Sequence, residues 1–416
     1  MKKVLISGMI GNALEWYDYA LYAQFAFIIG QHFFPDSEMR ETLTFLVFAA
    51  GFIVRPLGGI IFGNIGDRFG RRIALVIGII TMAIPTAGIG LLPGYKTIGI
   101  AAPIILTLIR LIQGFSLGGE FSGCISYIVE HAPANRRGIA GSASFVSMCA
   151  GMLLGLGTAS GFSYFMTHDN LVEWGWRIPF IAGLFISSIG LYIRKSLSES
   201  PIYKLAKEKG RLSRFPLREV LSKYWLELVV AIGLYITVTA PFYTATVFIG
   251  NFMKTLGYTH DQSAIVSSVI LITMIIVFPI SAAISDAFGR KPVLLTGIVL
   301  IILLSYPIFL GLGSMNFSNA ILSQVTFAAI IALYMGPIPT VLVELFPTSV
   351  RFTGVALSYN VSAAIFGGSA PVVGMMLAKY TGDQYAISYY LIALAVLSSF
   401  VLYFYKETYR KSLTNE

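Results

Sequence analysis

The feature that most limits what this chain can become is a succession of apolar runs, each long enough to cross a bilayer. A spanning helix needs about 20 predominantly apolar residues. Such runs recur near 5–31, 41–64, 73–92, 98–129, 138–165 and 175–194, then near 226–252, 262–284, 292–313, 319–344, 353–378 and 386–405. They form two sets of six, divided by a polar stretch. Only 12% of the 416 residues are charged, about half the ~25% of an ordinary soluble protein. The expected fold is therefore an all-α membrane protein with twelve transmembrane helices in two six-helix pseudo-repeats. The first run has no cleavage site and is too long for a signal peptide, so it is read as a helix. The boundaries expected are 1–195 for the first bundle, 196–224 for a linker and 225–416 for the second bundle.

Charge distribution orients the chain. With both termini inside, the segments assigned to the cytoplasm hold most of the 29 basic residues, Arg194 and the linker lysines among them. Arg40, Lys96, Arg177, Lys254 and Lys379 fall outside, and Arg55 and Arg110 lie within spans. The bias follows the positive-inside rule and makes both termini cytoplasmic. It turns the net charge of +9 toward anionic lipid rather than nucleic acid. Cys124 and Cys149 sit inside apolar runs, which implies no disulfide framework. The scattered histidines show no metal-ligand spacing, and no phosphate-binding GxxxxGK[ST] loop occurs, so neither metal nor ATP chemistry is expected.

The two sets of six are related. The turn after the second run reads GNIGDRFGRR (63–72) and that after the eighth reads SDAFGRK (285–291). The turn after the fourth reads EHAPANRRG (130–138) and that after the tenth reads ELFPTSVRFTG (344–354). Asp67 and Asp286 differ by 219 positions, and Arg137 and Arg351 by 214. Duplicated halves of this kind are a transporter plan.

Gly63, Asp67, Arg68, Gly70, Arg71 and Arg72 at this spacing resemble the signature loop of the major facilitator superfamily. EWYDYALY (15–22), RPLGG (55–59), RLIQGFSLGGE (110–120), EHAP (130–133) and WGWRIPF (174–180) narrow the resemblance to its metabolite:H+ symporters. That branch transports proline and betaine, 2-oxoglutarate, citrate and shikimate. The resemblance implies that Asp67, Arg68, Arg71, Arg72 and Arg137, with Asp286, Arg290 and Arg351, latch a cytoplasmic gate. Ala287 stands where the first copy has Arg68, so a weaker second latch is expected. The chain ends eleven residues after Tyr405 (416 − 405), so the coiled-coil tail of some osmosensing relatives is not expected. GMLLGLGTASG (151–161) lacks the proline of drug-efflux antiporters.

Within the first span, Asn12, Glu15, Tyr19 and Tyr22 share one helical face, with Asp18 at its edge. An ionisable group at mid-membrane costs at least ~2.5–3.5 kcal/mol on insertion scales and marks a functional site. The alternative is that each carboxylate pairs with a buried arginine simply to lock helices. Arg55 and the Arg110, Gln113, Glu120 series complete the intramembrane polar set, all in the first half. Glu15, Asp18 and Glu120 are the candidate proton carriers. Asn12, Tyr19, Arg55, Arg110, Gln113, Tyr243 and Asn360 are the candidate substrate ligands. The GxxxG spacings at Gly114/Gly118, Gly119/Gly123, Gly151/Gly155 and Gly157/Gly161 read as close helix contacts.

The expectation is a secondary transporter rather than an enzyme, a multi-pass protein of a bacterial inner membrane, functional as a monomer. It would import a small carboxylate-bearing solute, foremost a zwitterion such as proline or betaine, with the proton as coupling ion and no cofactor. A di- or tricarboxylate symporter is the alternative, and a non-transporting sensor the reading from another class.

Overall fold

The computed structural model describes residues 1–414. Twelve long helices account for most of them: α1 (Lys2–Phe33), α2 (Arg40–Arg68), α3 (Arg71–Leu91), α4 (Ala101–His131), α5 (Arg137–Phe165), α6 (Arg177–Lys195), α7 (Trp225–Thr255), α8 (His260–Phe288), α9 (Arg290–Leu312), α10 (Phe317–Leu345), α11 (Arg351–Thr381) and α12 (Ile387–Phe404). Helices suit these sequences because each satisfies its own backbone hydrogen bonds where water is absent. Eleven are long and apolar enough to cross a membrane. The other is α1, whose 32 residues have length to spare. Its hydropathy is lowered by the same residues, Asn12, Glu15 and Asp18, that make it a candidate site.

Within the first half α1 packs along α5, α2 along α4, and α3 between α4 and α6. In the second half α10 packs between α8 and α9, and α7 and α9 both pack on α12. The halves meet where α2 and α4 face α11 and where α5 faces α8. The polar stretch between them forms two short helices, Pro201–Glu208 and Pro216–Lys223, each opening on a proline whose missing N–H costs nothing at that position.

Glycine decides how close these helices come. A Cβ on Gly114 would land on the carbonyl of Gly51, and one on Gly118 would meet the backbone of Arg55 and Gly58, so α4 lies directly against α2. Gly151 and Gly155 play the same part for α5 against Ala13 and Ala20 of α1. Gly157 and Gly161 depart from expectation: nothing lies within 4 Å of a Cβ at either, so this pair makes no helix contact.

Two helices are irregular at matching depth. After Pro241, α7 widens into a π-helical turn over Thr244–Phe248, and α11 does the same over Ala363–Gly367, ahead of Pro371. A proline frees the carbonyl four residues before it, so Pro371 accounts for a disturbed ladder at Gly367, whereas the wide turn of α7 lies on the C-terminal side of Pro241. The two irregular stretches touch: the Thr239 hydroxyl lies 3.2 Å from that of Ser362, and Gly367 is pressed against the Tyr243 ring.

Replacing Gly114 by valine should overpack the α2–α4 seam and destabilise the protein by about 1–3 kcal/mol. The same change at Gly157 should leave the melting temperature in detergent unmoved. Equal shifts at both positions would contradict this account of the packing.

Candidate functional site

Two groups of polar side chains are buried, one at the face that carries both chain ends and one between the halves in the interior. Most lysines and arginines lie at the first of these, which is called the basic face below.

At the basic face each half caps a helix of the other. The two oxygens of Asp67, at the end of α2, accept the backbone N–H groups of Phe352 (3.0 Å) and Thr353 (2.9 Å) in the first turn of α11. The oxygens of Asp286, at the end of α8, accept those of Gly138 (2.8 Å) and Ile139 (2.9 Å) in the first turn of α5. A carboxylate is stabilised there by unpaired N–H groups and by the helix dipole. Each aspartate also meets an arginine one turn on, Arg71 at 3.1 Å and Arg290 at 2.8 Å. Those arginines reach a glutamate: Arg71 to Glu130 at 3.1 Å, Arg290 to Glu344 at 3.2 Å. The opposite half closes each network, since Arg351 lies 3.0 Å from Glu130 and Arg137 lies 3.9 Å from Glu344.

Two expectations about this gate change. Arg68 and Arg72 are not in the networks across the halves. Arg68 is exposed, with its guanidinium over the Phe69 ring at 5.4 Å, and Arg72 donates to the Lys195 carbonyl within its own half. Since Arg68 stands outside, Ala287 at the matching position removes nothing, and the second latch is built like the first. Glu130 and Glu344 belong to these networks although sequence reasoning left them out. Their spacing of 214 positions (344 − 130) was the signal available.

The segments after α6 and α12 tie in similarly. Glu199 accepts the N–H of Arg71 (3.0 Å), and Glu407 accepts that of Lys291 (2.9 Å). Beyond Glu407, Thr408 donates to Glu344 (2.7 Å), and the Lys411 carbonyl accepts from Arg137 (2.6 Å).

The interior group centres on α1. Asp18 lies 3.2 Å from Arg110 and accepts from Gln113 at 2.9 Å through the same oxygen. Gln113 in turn holds Thr86 and accepts from Arg110, whose guanidinium lies over the Tyr22 ring at 4.2 Å. Glu120 is bound through both oxygens by Arg194, near the end of α6. The sequence count placed Arg194 among solvated linker charges; the structure buries it, 1% exposed. Hydrophobic context at 184–193 was the only hint, because Lys195 beside it reads as a helix end.

Two interior charges are left over. Glu15 is 1% exposed, and neither of its carboxyl oxygens has a hydrogen-bond partner in the protein. Arg55 is 2% exposed and, among the described residues, forms no ion pair. Its guanidinium donates instead to the hydroxyls of Tyr243 (3.2 Å) and Tyr359, both from the second half, and lies over the Phe52 and Tyr359 rings at 5.2 and 5.0 Å. Around these charges runs an aromatic wall shared by the two halves. Trp16 lies 5.4 Å from Tyr19 and 5.8 Å from Phe242, Tyr19 packs on Phe48 and Phe52, and Phe52 meets Tyr243.

The two asparagine candidates are tied to neighbouring helices through their N–H groups. The Asn12 amide donates to the Ser144 carbonyl (2.6 Å) and the Ser147 hydroxyl (2.8 Å) of α5. That of Asn360 donates to the carbonyls of Gly118 and Ala356, both at 2.8 Å. Both donors of each amide are used, so neither asparagine offers an N–H to a ligand. Among the described residues no group of histidine, cysteine and acidic side chains could hold a metal ion.

Two equivalent charge networks joining the halves at one face, below a polar interior, define a transporter of the major facilitator fold. The chain belongs to the sugar (and other) transporter family, whose model matches residues 4–227 and 227–415. It is 35% identical, over 99% of its length and 85% of the relative's, to the glycine betaine/proline/ectoine/pipecolic acid transporter OusA of Dickeya dadantii. It is 32% identical, with the same coverage, to the proline/betaine transporter of Escherichia coli. The proton:xylose symporter XylE, bound to 6-bromo-6-deoxy-D-glucose, superposes with a TM-score of 0.80 at 19% identity, over 99% of this chain and 97% of that one.

Because the two networks are alike, Asp67→Ala and Asp286→Ala should weaken closure of the basic face to a similar degree, about 1 kcal/mol or more each as for a lost helix cap. Spin labels on the α2–α3 and α8–α9 turns measure this, as a larger share of long inter-label distances in both variants. A response from Asp67 alone would restore the asymmetric picture.

Proposed function

We propose that the chain imports a small zwitterion carrying one carboxylate and one cationic nitrogen, of the proline or betaine kind, together with a proton. The observation that carries this reading is the pair of unmatched interior charges, Arg55 and Glu15. A buried charge is tolerated when it is paired or when its partner arrives as a ligand. Arg55 offers two planar donors at the seam between the halves, a geometry suited to a carboxylate. A substrate carboxylate would take these donors from the Tyr243 and Tyr359 hydroxyls. The cationic nitrogen would then lie against Trp16, Tyr19 and Phe242, since ring faces attract ammonium groups.

Glu15 is the carboxyl assigned to the proton. Asp18 and Glu120 each have an arginine in ion-pair contact, whereas Glu15 has no ion-pair or hydrogen-bond partner among the described residues. Arg110, occupied by Asp18, does not supply the second guanidinium that a di- or tricarboxylate would call for. The names of the relatives support the substrate class, and the symporter title of the structural neighbour supports proton coupling. With the basic face cytoplasmic, as the charge bias indicates, release inward requires the Asp67 and Asp286 caps to open while the seam around Arg55 closes. One chain contains both halves and suffices as the working unit.

In proteoliposomes Glu15→Gln should abolish accumulation of labelled proline or betaine driven by a pH gradient while sparing exchange. Arg55→Lys, which cannot present a planar fork, should weaken substrate affinity at least about tenfold, equal to ~1.4 kcal/mol. A Glu15→Gln protein that still concentrates substrate would rule out the proton assignment. Unchanged affinity in Arg55→Lys would rule out the carboxylate site.

A further inference from the structure

The buried pair Arg194–Glu120 is not used by the transport scheme as it stands, yet it adjoins the proton site. Arg194 reaches across four helices. It binds both oxygens of Glu120 on α4 and donates to the carbonyls of Leu75 on α3 (2.5 Å) and Ser7 on α1 (3.4 Å). The ion pair is 1% and 4% exposed on its two sides. Gly11 makes room for it, because a Cβ there would land on Arg194 Nη2 and Glu120 Oε1. Glu15 follows Gly11 by four residues, one helical turn, on that face of α1.

The charged groups that act on Glu15 are Glu120 from α4, Arg194 from α6, Arg55 from α2 and Asp18 from α1 itself; α5 and α3, which also pack on α1, supply none of them. Asp18 is cancelled by Arg110 and Glu120 by Arg194. Arg55, awaiting a carboxylate, is the remaining net charge. We propose that Arg194 is a positioning residue for the proton step: by neutralising Glu120 inside the fold, it leaves Glu15 as the single carboxyl of this region that exchanges a proton. Without Arg194, two carboxyls would share one buried site. Like charges in that situation disfavour each other's ionisation, and their protons belong to the pair rather than to one residue. A coupled pair would blur the one-proton cycle, since Glu120 would take up a proton with no substrate bound. The opposite imbalance, Glu120 removed and Arg194 left, would hold Glu15 ionised.

This inference rests on Glu15 as the proton carrier, and infrared titration of the full chain in lipid vesicles separates the two claims. The C=O stretch of a protonated carboxyl is followed against pH, and the Glu15 band is assigned by its loss in Glu15→Gln. The midpoint of that band should move to higher pH by about one unit or more in Arg194→Gln and to lower pH in Glu120→Gln. It should return near its native position in the Arg194→Gln/Glu120→Gln double variant and in Arg194→Lys, which keeps the charge. Either single variant gives a sign should the other fail to fold. Midpoints that stay put in the Gln variants, with only the melting temperature lowered, would make the pair a helix lock and overturn the proposal. If no band disappears in Glu15→Gln, the assignment of the carrier itself has failed, a distinct result.

Discussion

Charge inside a bilayer has to be cancelled on the spot, and this single requirement organises the structure. Desolvating an ion costs several kcal/mol even after the protein relaxes around it, so a buried ion persists only with a partner or with a use. Asp18 has Arg110, Glu120 has Arg194, and the glutamates at the basic face are shared among arginines. Two groups escape this cancellation, Glu15 and Arg55, and they lie in the same interior region. In the proposed cycle a proton answers the first and a substrate carboxylate the second. On that proposal coupling needs no separate device, because the same desolvated space demands both.

The two networks of the basic face follow from duplication with exchange. Each half contributes an aspartate that caps the other half's helix, and an arginine that completes the other half's glutamate. The aspartate caps and the arginine–glutamate contacts across the basic face are therefore each present twice, while Arg71 to the Thr348 carbonyl and Thr340 to the Arg137 carbonyl occur once. The helix caps are individually modest, about 1 kcal/mol apiece, whereas the buried ion pairs cost more to break, about 3–5 kcal/mol when one partner is removed. The wide turns of α7 and α11, next to the tyrosines that hold Arg55, place the irregular backbone where the halves must part on the other side.

Much of this was legible in the sequence. Twelve apolar runs and a repeated turn motif gave the architecture, because span length and duplication are linear properties of a chain. The helical face of Glu15, Asp18 and Tyr19 was visible for the same reason. Pairing was not. Nothing in the linear order tells that Asp18 and Glu120 would find arginines while Glu15 would not, since Arg194 is 74 positions from Glu120 (194 − 120) and sits beside an exposed lysine. Asn12 and Asn360 looked like ligands because polar groups in spans usually signal function. Three-dimensional packing instead spends the N–H donors of both amides on neighbouring carbonyls or hydroxyls, leaving their Oδ1 atoms without a partner. Arg68 looked like a gate residue by motif alone, and the direction of its side chain from the end of α2 takes it to the surface.

The central claim is that one unpaired carboxyl accompanies one substrate carboxylate through each cycle. The ratio of protons to substrate tests it most directly, obtained from the membrane potential at which transport of labelled proline or betaine reverses across vesicles of known pH and substrate gradients. The account predicts one proton per substrate. A ratio of two would show that Asp18 or Glu120 also cycles, and a ratio of zero would remove proton coupling altogether.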